Sequence, residues 1–435
     1  MDKKPAPVNI VWLMLVLIAV VTAAYTGKME ATVTAFMESA KSAVNLAIGL
    51  IGFMAFWLGL TKVAEQGGLT RAIARGIRPL MVRLFPQVPE DHPAMSAMIM
   101  NFAANALGMG NAATPLGIKA MVELDSLNKE KGTATNAMCL FLAINTSNIA
   151  LFPGGVIAIR SAAGASNPSA IIPSSFLATL CSTITAICMA KYFEWRAQRD
   201  ETVIKPGPGQ PQEPDEQSAG TDNSKKELVP PGIIGKTIIY AAIAAFAGAI
   251  VYRMITVESQ AAFLKELYSF WLLPMLMGFF LIYGYLKGVR VYEAATEGAK
   301  DGFQTAVRII PFLVAILVAI GMFRASGAFD FLVAVLNPLT SRIGLPAEAL
   351  PVALMRPLSG SGSFGIMSDI VSQNPDSFVS TLVSTMQGST ETTFYVLAVY
   401  FGAVGIKNTR HALPAALTAD TVGVLASVGI CRLMF

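Results

Sequence analysis

The sequence predicts an all-α polytopic membrane protein built from two inverted repeats, and three observations carry that prediction. Apolar residues make up 54% of the 435-residue chain and charged residues only 14%, with a mean hydropathy of +0.57, against about a quarter charged in soluble domains. Apolar runs of roughly 17 to 23 residues recur along the chain, the length a bilayer-crossing helix needs. Two long segments are interrupted by polar, glycine-rich stretches, ANALGMGNAATP and RPLSGSGSFG. Such backbone is tolerated at membrane depth only where it is buried in protein or lines a wet cavity.

Taken in order, residues 1–40 hold a first span, 8–24, and a short amphipathic stretch, 27–41, expected as an interfacial helix because it carries Lys28, Glu30, Glu38 and Lys41. Residues 41–190 form the first repeat. It contains a span at 42–60 and a basic segment with Lys62, Arg71, Arg75, Arg78 and Arg83. A re-entrant hairpin follows at 93–127, then a span at 133–152, a turn at Pro153-Gly154-Gly155 and a span at 170–190. The hairpin is read as two half-helices because Gly108 and Gly110 are poor in a helix interior, whereas Asn111 and Thr114 suit helix starts.

Residues 191–231 are rich in Pro, Gly, Gln and Glu and are expected as a disordered cytoplasmic linker. Two connecting spans occupy 232–290, near 233–255 and 270–286. Residues 291–435 form the second repeat: an interfacial helix at 291–303, a span at 305–323, a hairpin at Arg356, a broken span at 390–406 and a last span at 411–433. The expected total is about nine spans with two re-entrant hairpins. Basic residues concentrated on one side place the N-terminus inside a bacterial cytoplasmic membrane.

The repeat is visible in the letters. ESAK at Glu38 matches EGAK at Glu297, Gly68 matches Gly327, and Pro79-Leu80 matches Pro338-Leu339, all at one offset of 259 residues (297−38, 327−68, 338−79). In the topology above, one copy begins outside and the other inside. Inverted copies with interrupted segments at corresponding places point to a transporter's binding site.

Composition also excludes. The net charge of +4 arises from loop residues, so nucleic acid is not an expected partner. Cys139, Cys181, Cys188 and Cys431 lie in apolar runs without a CxxC pair and are read as packing residues. His92 and His411 fall at span ends, so neither a metal centre nor a cofactor is expected. HExxH, GxSxG and P-loop signatures are missing, and enzyme chemistry is not expected.

A hairpin tip offers both free carbonyls and free N–H groups. Asn105, Asn111 and Thr114 at the first tip and Ser359, Ser361 and Ser363 at the second therefore read as candidate solute ligands, against the alternative that small polar residues only ease helix packing.

NFAANALGMGNAATPLGIKAM (101–121) resembles the spore maturation protein A family, while RPLSGSGSFGIMSDI (356–370) and QGSTETTFYVLAVYFGAVGIK (387–407) resemble spore maturation protein B. The chain looks like a fusion of the two, within the group carrying the nucleoside-recognition or Gate domain, which includes concentrative nucleoside transporters and the membrane part of a ferrous iron transporter. The resemblance implies an alternating-access transporter of a small polar, nucleoside-like solute. Gln387, Thr390, Glu391 and Thr393 would touch solute, with Glu391 as chief ligand or proton acceptor and Asn145 and Asn148 as the uncharged counterparts. Arg356 and Asp369 are read as gating or ion-pair residues, with an ion pair from Arg356 to Glu391 or Asp369 as the structural alternative. Asp420 is a weaker candidate for proton coupling. Expected partners are the solute, a coupling ion and the lipid bilayer, with self-association left open. The rival readings are a non-transporting scaffold or ligand sensor and a metal-ion permease, the latter disfavoured because the tips carry no soft ligand but Met109.

Overall fold

The computed structural model describes residues 7–108, 110–147, 149–198, 231–257 and 271–435, with positions 263, 266 and 267. These residues are almost wholly helical. α1 (Pro7–Thr26) leads into the first repeat: α2 (Met29–Gln66), α3 (Leu69–Leu84), α4 (Pro93–Ala106), α5 (Gly110–Ser126), α6 (Asn136–Thr146), α7 (Gly154–Ala162) and α8 (Ile171–Gln198). The connecting helices are α9 (Ile233–Thr256) and α10 (Leu272–Leu286). The second repeat is α11 (Val291–Ala325), α12 (Ala328–Thr340), α13 (Leu350–Leu358), α14 (Gly360–Gln373), α15 (Phe378–Ser389), α16 (Thr393–Ala403) and α17 (Ala412–Met434).

The order α2 to α8 is repeated by α11 to α17, element for element. The offset of the sequence motifs holds in three dimensions. α2 ends at Gln66 and α11 at Ala325, and each is followed by a left-handed glycine, Gly68 (φ 79°) and Gly327 (φ 88°). Left-handed backbone is open to glycine without penalty, so both copies turn sharply here; α11 and α12 meet at 79°. Pro79 and Pro338 sit inside α3 and α12.

The copies run in opposite directions. Leu58 O faces Gly298 while Ser39 faces Gly321, so α2 and α11 lie antiparallel. They touch closely, since a methyl group on Gly302 would come 2.4 Å from Ala55 Cα. α8 and α17 also pack antiparallel: Ser182 Oγ donates to Ala419 O, while Ser174, two turns earlier, bonds Thr385 beside Cys431. Among the described residues α2, α8, α9 and α17 are long and apolar enough to cross a bilayer unaided. The chain is a multi-pass membrane protein.

Several sequence expectations are corrected. The stretches 27–41 and 291–303 are not separate interfacial helices but the first turns of α2 and α11, each continuous with the span that follows. The expected span 133–152 is broken: α6 ends at Thr146, and Pro153 is not a turn but the residue that starts α7. The second broken span begins at Phe378, not 390, since α15 is a helix with every residue from Ser380 to Ser389 buried. Residues 191–198 continue α8; the rest of the linker expectation, 199–230, lies outside the described residues. Cys139 and Cys431 are buried packing residues, whereas Cys181 and Cys188 are exposed.

Two apolar cores organise the packing, and each mixes the repeats. One joins α2 and α7 of the first copy to α11, α13, α14 and α15 of the second, around Trp57, Phe152, Ile316 and Met386. The other joins α3 to α6 to Val396, Tyr400 and Phe401 of α16 and to Ala412, Ala415 and Ala419 near α17's start. The second half of each broken span therefore packs against the other copy's hairpin. Each chain break is where the span crosses over.

Candidate functional site

The two broken spans lie side by side and antiparallel. Pro153 packs at Gly388 and Arg160 reaches Ser384, while Asn145 meets Tyr400 at the other end. Their breaks, 147–153 and Thr390 to Thr392, face each other, and the Glu391 N–H donates to Thr146 O at 2.7 Å. At each break the helix before it leaves carbonyls without intrahelical donors and the helix after it leaves N–H groups without acceptors. The polar ends of four half-helices thus converge in the middle of an apolar bundle.

The first hairpin turns at Leu107-Gly108, where Gly108 is left-handed (φ 71°) and lies so close to the first break that a Cβ would approach Phe152 O to 3.1 Å. α4 is started by His92, whose Nδ1 accepts from Ala94 N at 3.1 Å, with Pro93 in its first turn. It delivers Asn101 and Asn105 to the site. Asn105 Nδ2 donates to Asn145 Oδ1 at 2.9 Å, and Asn145 Nδ2 donates back to Phe141 O at 2.9 Å. Asn101 Nδ2 donates to Ala113 O at 2.8 Å and approaches Tyr400 Oη at 3.4 Å, while its buried Oδ1 has no partner. Thr114 lies in the second turn of α5 and is half-buried. Asn111 belongs to α5's first turn but its side chain lies outside the described set, as does Asn148.

The second hairpin turns differently. Ser359 is extended (φ −152°, ψ 113°) and its Oγ caps α14 by accepting from Gly362 N at 3.1 Å. Neither Gly360 nor Gly362 is left-handed, so backbone freedom is not what these glycines bring to the tip. They serve close approach instead: a Cβ on Gly360 would come 2.6 Å from Thr392 Oγ1. Ser361 is exposed beside Ser359. Ser363 is fully buried and donates to Gln387 Oε1.

Arg356, 5% exposed, clasps the second break. Its Nη2 donates to Thr390 O, its Nη1 to Thr392 Oγ1 at 3.3 Å, and its Nη2 stands 3.8 Å from Glu391 Oε1. Glu391 keeps 41% of its side chain exposed and bonds the Thr392 N–H at 3.1 Å, so its carboxylate stands at the edge of the crossing rather than inside it. Thr393 Oγ1 donates to Asp420 Oδ2 at 2.6 Å; Asp420 is 4% exposed and its Oδ1 has no partner. Asp369 is elsewhere. It pairs with Arg324 Nε at 3.1 Å and accepts from Gln373, because α14 carries it about two and a half turns away from the tip toward α11. Its expected link to Arg356 is therefore not present.

Matching bonds anchor both breaks to the outer helices. Ser147 Oγ lies 3.0 Å from Thr183 Oγ1 of α8, and Ser389 Oγ 3.4 Å from Ser427 Oγ of α17. The sequence reading missed Asn101, Tyr400 and Arg160. A lone Arg between the apolar runs GGVIAI and SAAG is the signal that could have found the last.

The sequence profile of the Gate family, described as nucleoside recognition, matches residues 47–165 and 306–407, one stretch in each repeat and together just over half of the chain. Spore maturation protein A of Bacillus subtilis (strain 168) is 45% identical over 192 residues, 44% of this chain and 98% of that protein. Spore maturation protein B of the same organism is 50% identical over 165 residues, 38% of this chain and 93% of that protein. The two likenesses cover different parts of the chain. With a Gate match in each of its antiparallel halves, this chain belongs to the Gate family.

Proposed function

We propose that the protein carries a small polar solute across the bacterial cytoplasmic membrane by alternating access, with the solute bound where the two broken spans cross. The observation that supports this most is the exchange of half-spans. Because α7 packs on the second hairpin and α16 on the first, a rocking of one hairpin must pull on both breaks. The site's polar inventory fits a solute with several hydrogen-bonding groups: asparagines on one side, hydroxyls and Gln387 on the other, and the Glu391 carboxylate at the rim. Asp420 is the buried acid best placed for a coupling ion. We read the bundle as a carrier rather than a catalyst. The exposed arginines of α3, Arg71, Arg75, Arg78 and Arg83, support an orientation with the N-terminus inside.

The test is uptake into proteoliposomes, run with nucleosides, amino acids, dicarboxylates and divalent metals, beside thermal-shift measurements on the purified chain. A solute that both stabilises the protein and accumulates, with accumulation lost in Glu391→Gln, is the expected result. Stabilisation without accumulation of any solute would sink the carrier reading and favour a ligand sensor.

A further inference from the structure

One buried charge stands outside the crossing and has no task in it. Arg160, in the last turn of α7, is 2% exposed. Its Nη1 reaches Ser384 Oγ only at 3.5 Å, and its Nε finds no acceptor. Among the described residues it takes part in no ion pair. Asp376, the carboxylate that acts on it through space, binds the Ser166 N–H and hydroxyl instead. The dipole at the C-terminal end of α7 favours a cation by less than burial costs one. An unpaired guanidinium in a membrane bundle is a marker of function rather than of stability.

Its surroundings have a direction. Ser384 and Gly388 are four residues apart, so they lie on one face of α15. Ser175 of α8 packs over Gly388, fully buried, and its Oγ also has no partner. Beside them Ser174 Oγ and Thr385 Oγ1 bond to each other at 2.8 Å and are closed to further ligands on that side. Against one face of α15 thus lie the unsatisfied guanidinium edge of Arg160 and, one turn on, the unsatisfied hydroxyl of Ser175. The Nε and Nη groups of one edge form the fork that holds two oxygens of a carboxylate or phosphate.

We propose that Arg160, with Ser384 and Ser175, is a subsite for an anionic group, a carboxylate or a phosphate, so that the ligand is a small organic anion rather than a neutral nucleoside. That this ligand is also the one carried rests on the transport reading; its binding does not. The face is closed in the present conformation, and an anion enters when α7 and α15, which belong to different repeats, draw apart.

The experiment is a thermal-shift titration of the full-length protein in detergent with inorganic phosphate, uridine monophosphate, succinate and uridine. A saturable rise in melting temperature is expected with phosphate and its ester, or with succinate, which decides between the two anions. Arg160→Gln should weaken that affinity at least tenfold without lowering the unliganded melting temperature, because it removes an unpaired buried charge. Arg160→Lys keeps the charge but not the fork and should also weaken binding, which guards against a Gln variant that fails to fold. Equal anion affinity in both variants, a shift with uridine alone, or no shift with any anion would overturn the proposal. Arg160-dependent anion binding in a protein whose proteoliposomes accumulate none of these compounds would overturn transport and leave the subsite standing.

Discussion

Around the first break the backbone is held by neutral groups. Thr179 Oγ1 donates to Ser147 O at 2.7 Å, Leu151 N donates to Ala106 O at 3.1 Å, and the left-handed Gly108 lets the hairpin tip sit against Phe152. Around the second break the clasp is a guanidinium, with Glu391 at its edge and Asp420 behind Thr393. Two copies of one plan therefore differ in what can perturb them. A neutral clasp answers to shape, whereas a charged clasp answers to protons, ions and charged solutes as well. On the proposed carrier reading, the second break is the responsive one and the first is the fulcrum.

The largest expected effect comes from removing the charged clasp. Arg356→Gln strips a charge-assisted bond from the buried Thr390 carbonyl and a longer one from the Thr392 hydroxyl, and a hydrogen bond to a charged group is worth about 1.5–3 kcal/mol. Glu391→Gln should behave differently. The carboxylate is 41% exposed and 3.8 Å from Arg356, a partnership worth about 0–1 kcal/mol near solvent, and Arg356 keeps its bond to Thr390. Chemical or thermal denaturation in detergent should show a large loss for the Arg356 variant and little for the Glu391 variant, while solute uptake fails in both. If the two single variants were equally unstable and the double variant recovered, Glu391 would be a structural partner and the asymmetry between the breaks would lose its basis.

The next effect, on the neutral side, is smaller. Gly108→Val forces a β-branched residue into left-handed backbone, a strain of about 1–3 kcal/mol, and presses its Cβ toward Phe152 O at 3.1 Å. Gly360→Ala meets no such backbone strain. Its methyl group would displace the Thr392 hydroxyl, 2.6 Å away, and forfeit the Arg356 to Thr392 bond, worth about 1.5–3 kcal/mol when a charged group takes part and less at its length of 3.3 Å. Melting curves should therefore rank Gly108→Val below Gly360→Ala. The reverse order would mean that the second tip, not the first, depends on its glycine.

The same contrast explains what was legible beforehand. The first hairpin could be read because Gly108 interrupts an apolar segment with a residue whose conformation others avoid. The repeat could be read because helix ends carry local signals, such as Gly68 and Gly327, that packing does not erase. α15 could not be read as half a span: FVSTLVSTMQGS carries hydroxyls in adjacent pairs, Ser380-Thr381 and Ser384-Thr385, and again at Ser389, and only the tertiary structure supplies partners such as Ser174 for Thr385 and Ile370 O for Ser380. Glu38-to-Lys41 and Glu297-to-Lys300 resemble an interfacial face and suggest a division of the long helices α2 and α11, yet each helix runs through its charges without a break, and the glycines of the second, Gly298 and Gly302, serve the close approach of α2. Of the site, Arg356 and Glu391 announced themselves as charges among apolar residues. The pairing of Asn145 with Asn105 and of Thr393 with Asp420 depends on crossings that span up to 40 residues and has no local signature.

The smallest effect tests whether the repeats are also tied outside the membrane. Ser166, just beyond α7 in the first copy, gives its N–H to Asp376 Oδ1 at 3.0 Å and its hydroxyl to Asp376 Oδ2, in the loop between α14 and α15 of the second. Those two donors hold the Asp376 carboxyl below its ordinary value of 3.8. A folded-state pKa depressed in this way contributes stability that is present above the unfolded value and is lost as pH falls through the folded one. The tie therefore acts at neutral pH and disappears in acid, below about 3.8. Asp376→Asn and Ser166→Ala should each lower the melting temperature slightly at pH 7, and the gap to the native protein should close as the pH is taken below that value. Because the carboxylate is in solvent, raising the salt concentration should narrow the gap as well. A gap that stays constant from neutral to acid pH would show that Asp376 acts through loop shape alone and that its carboxylate does not tie the two copies together.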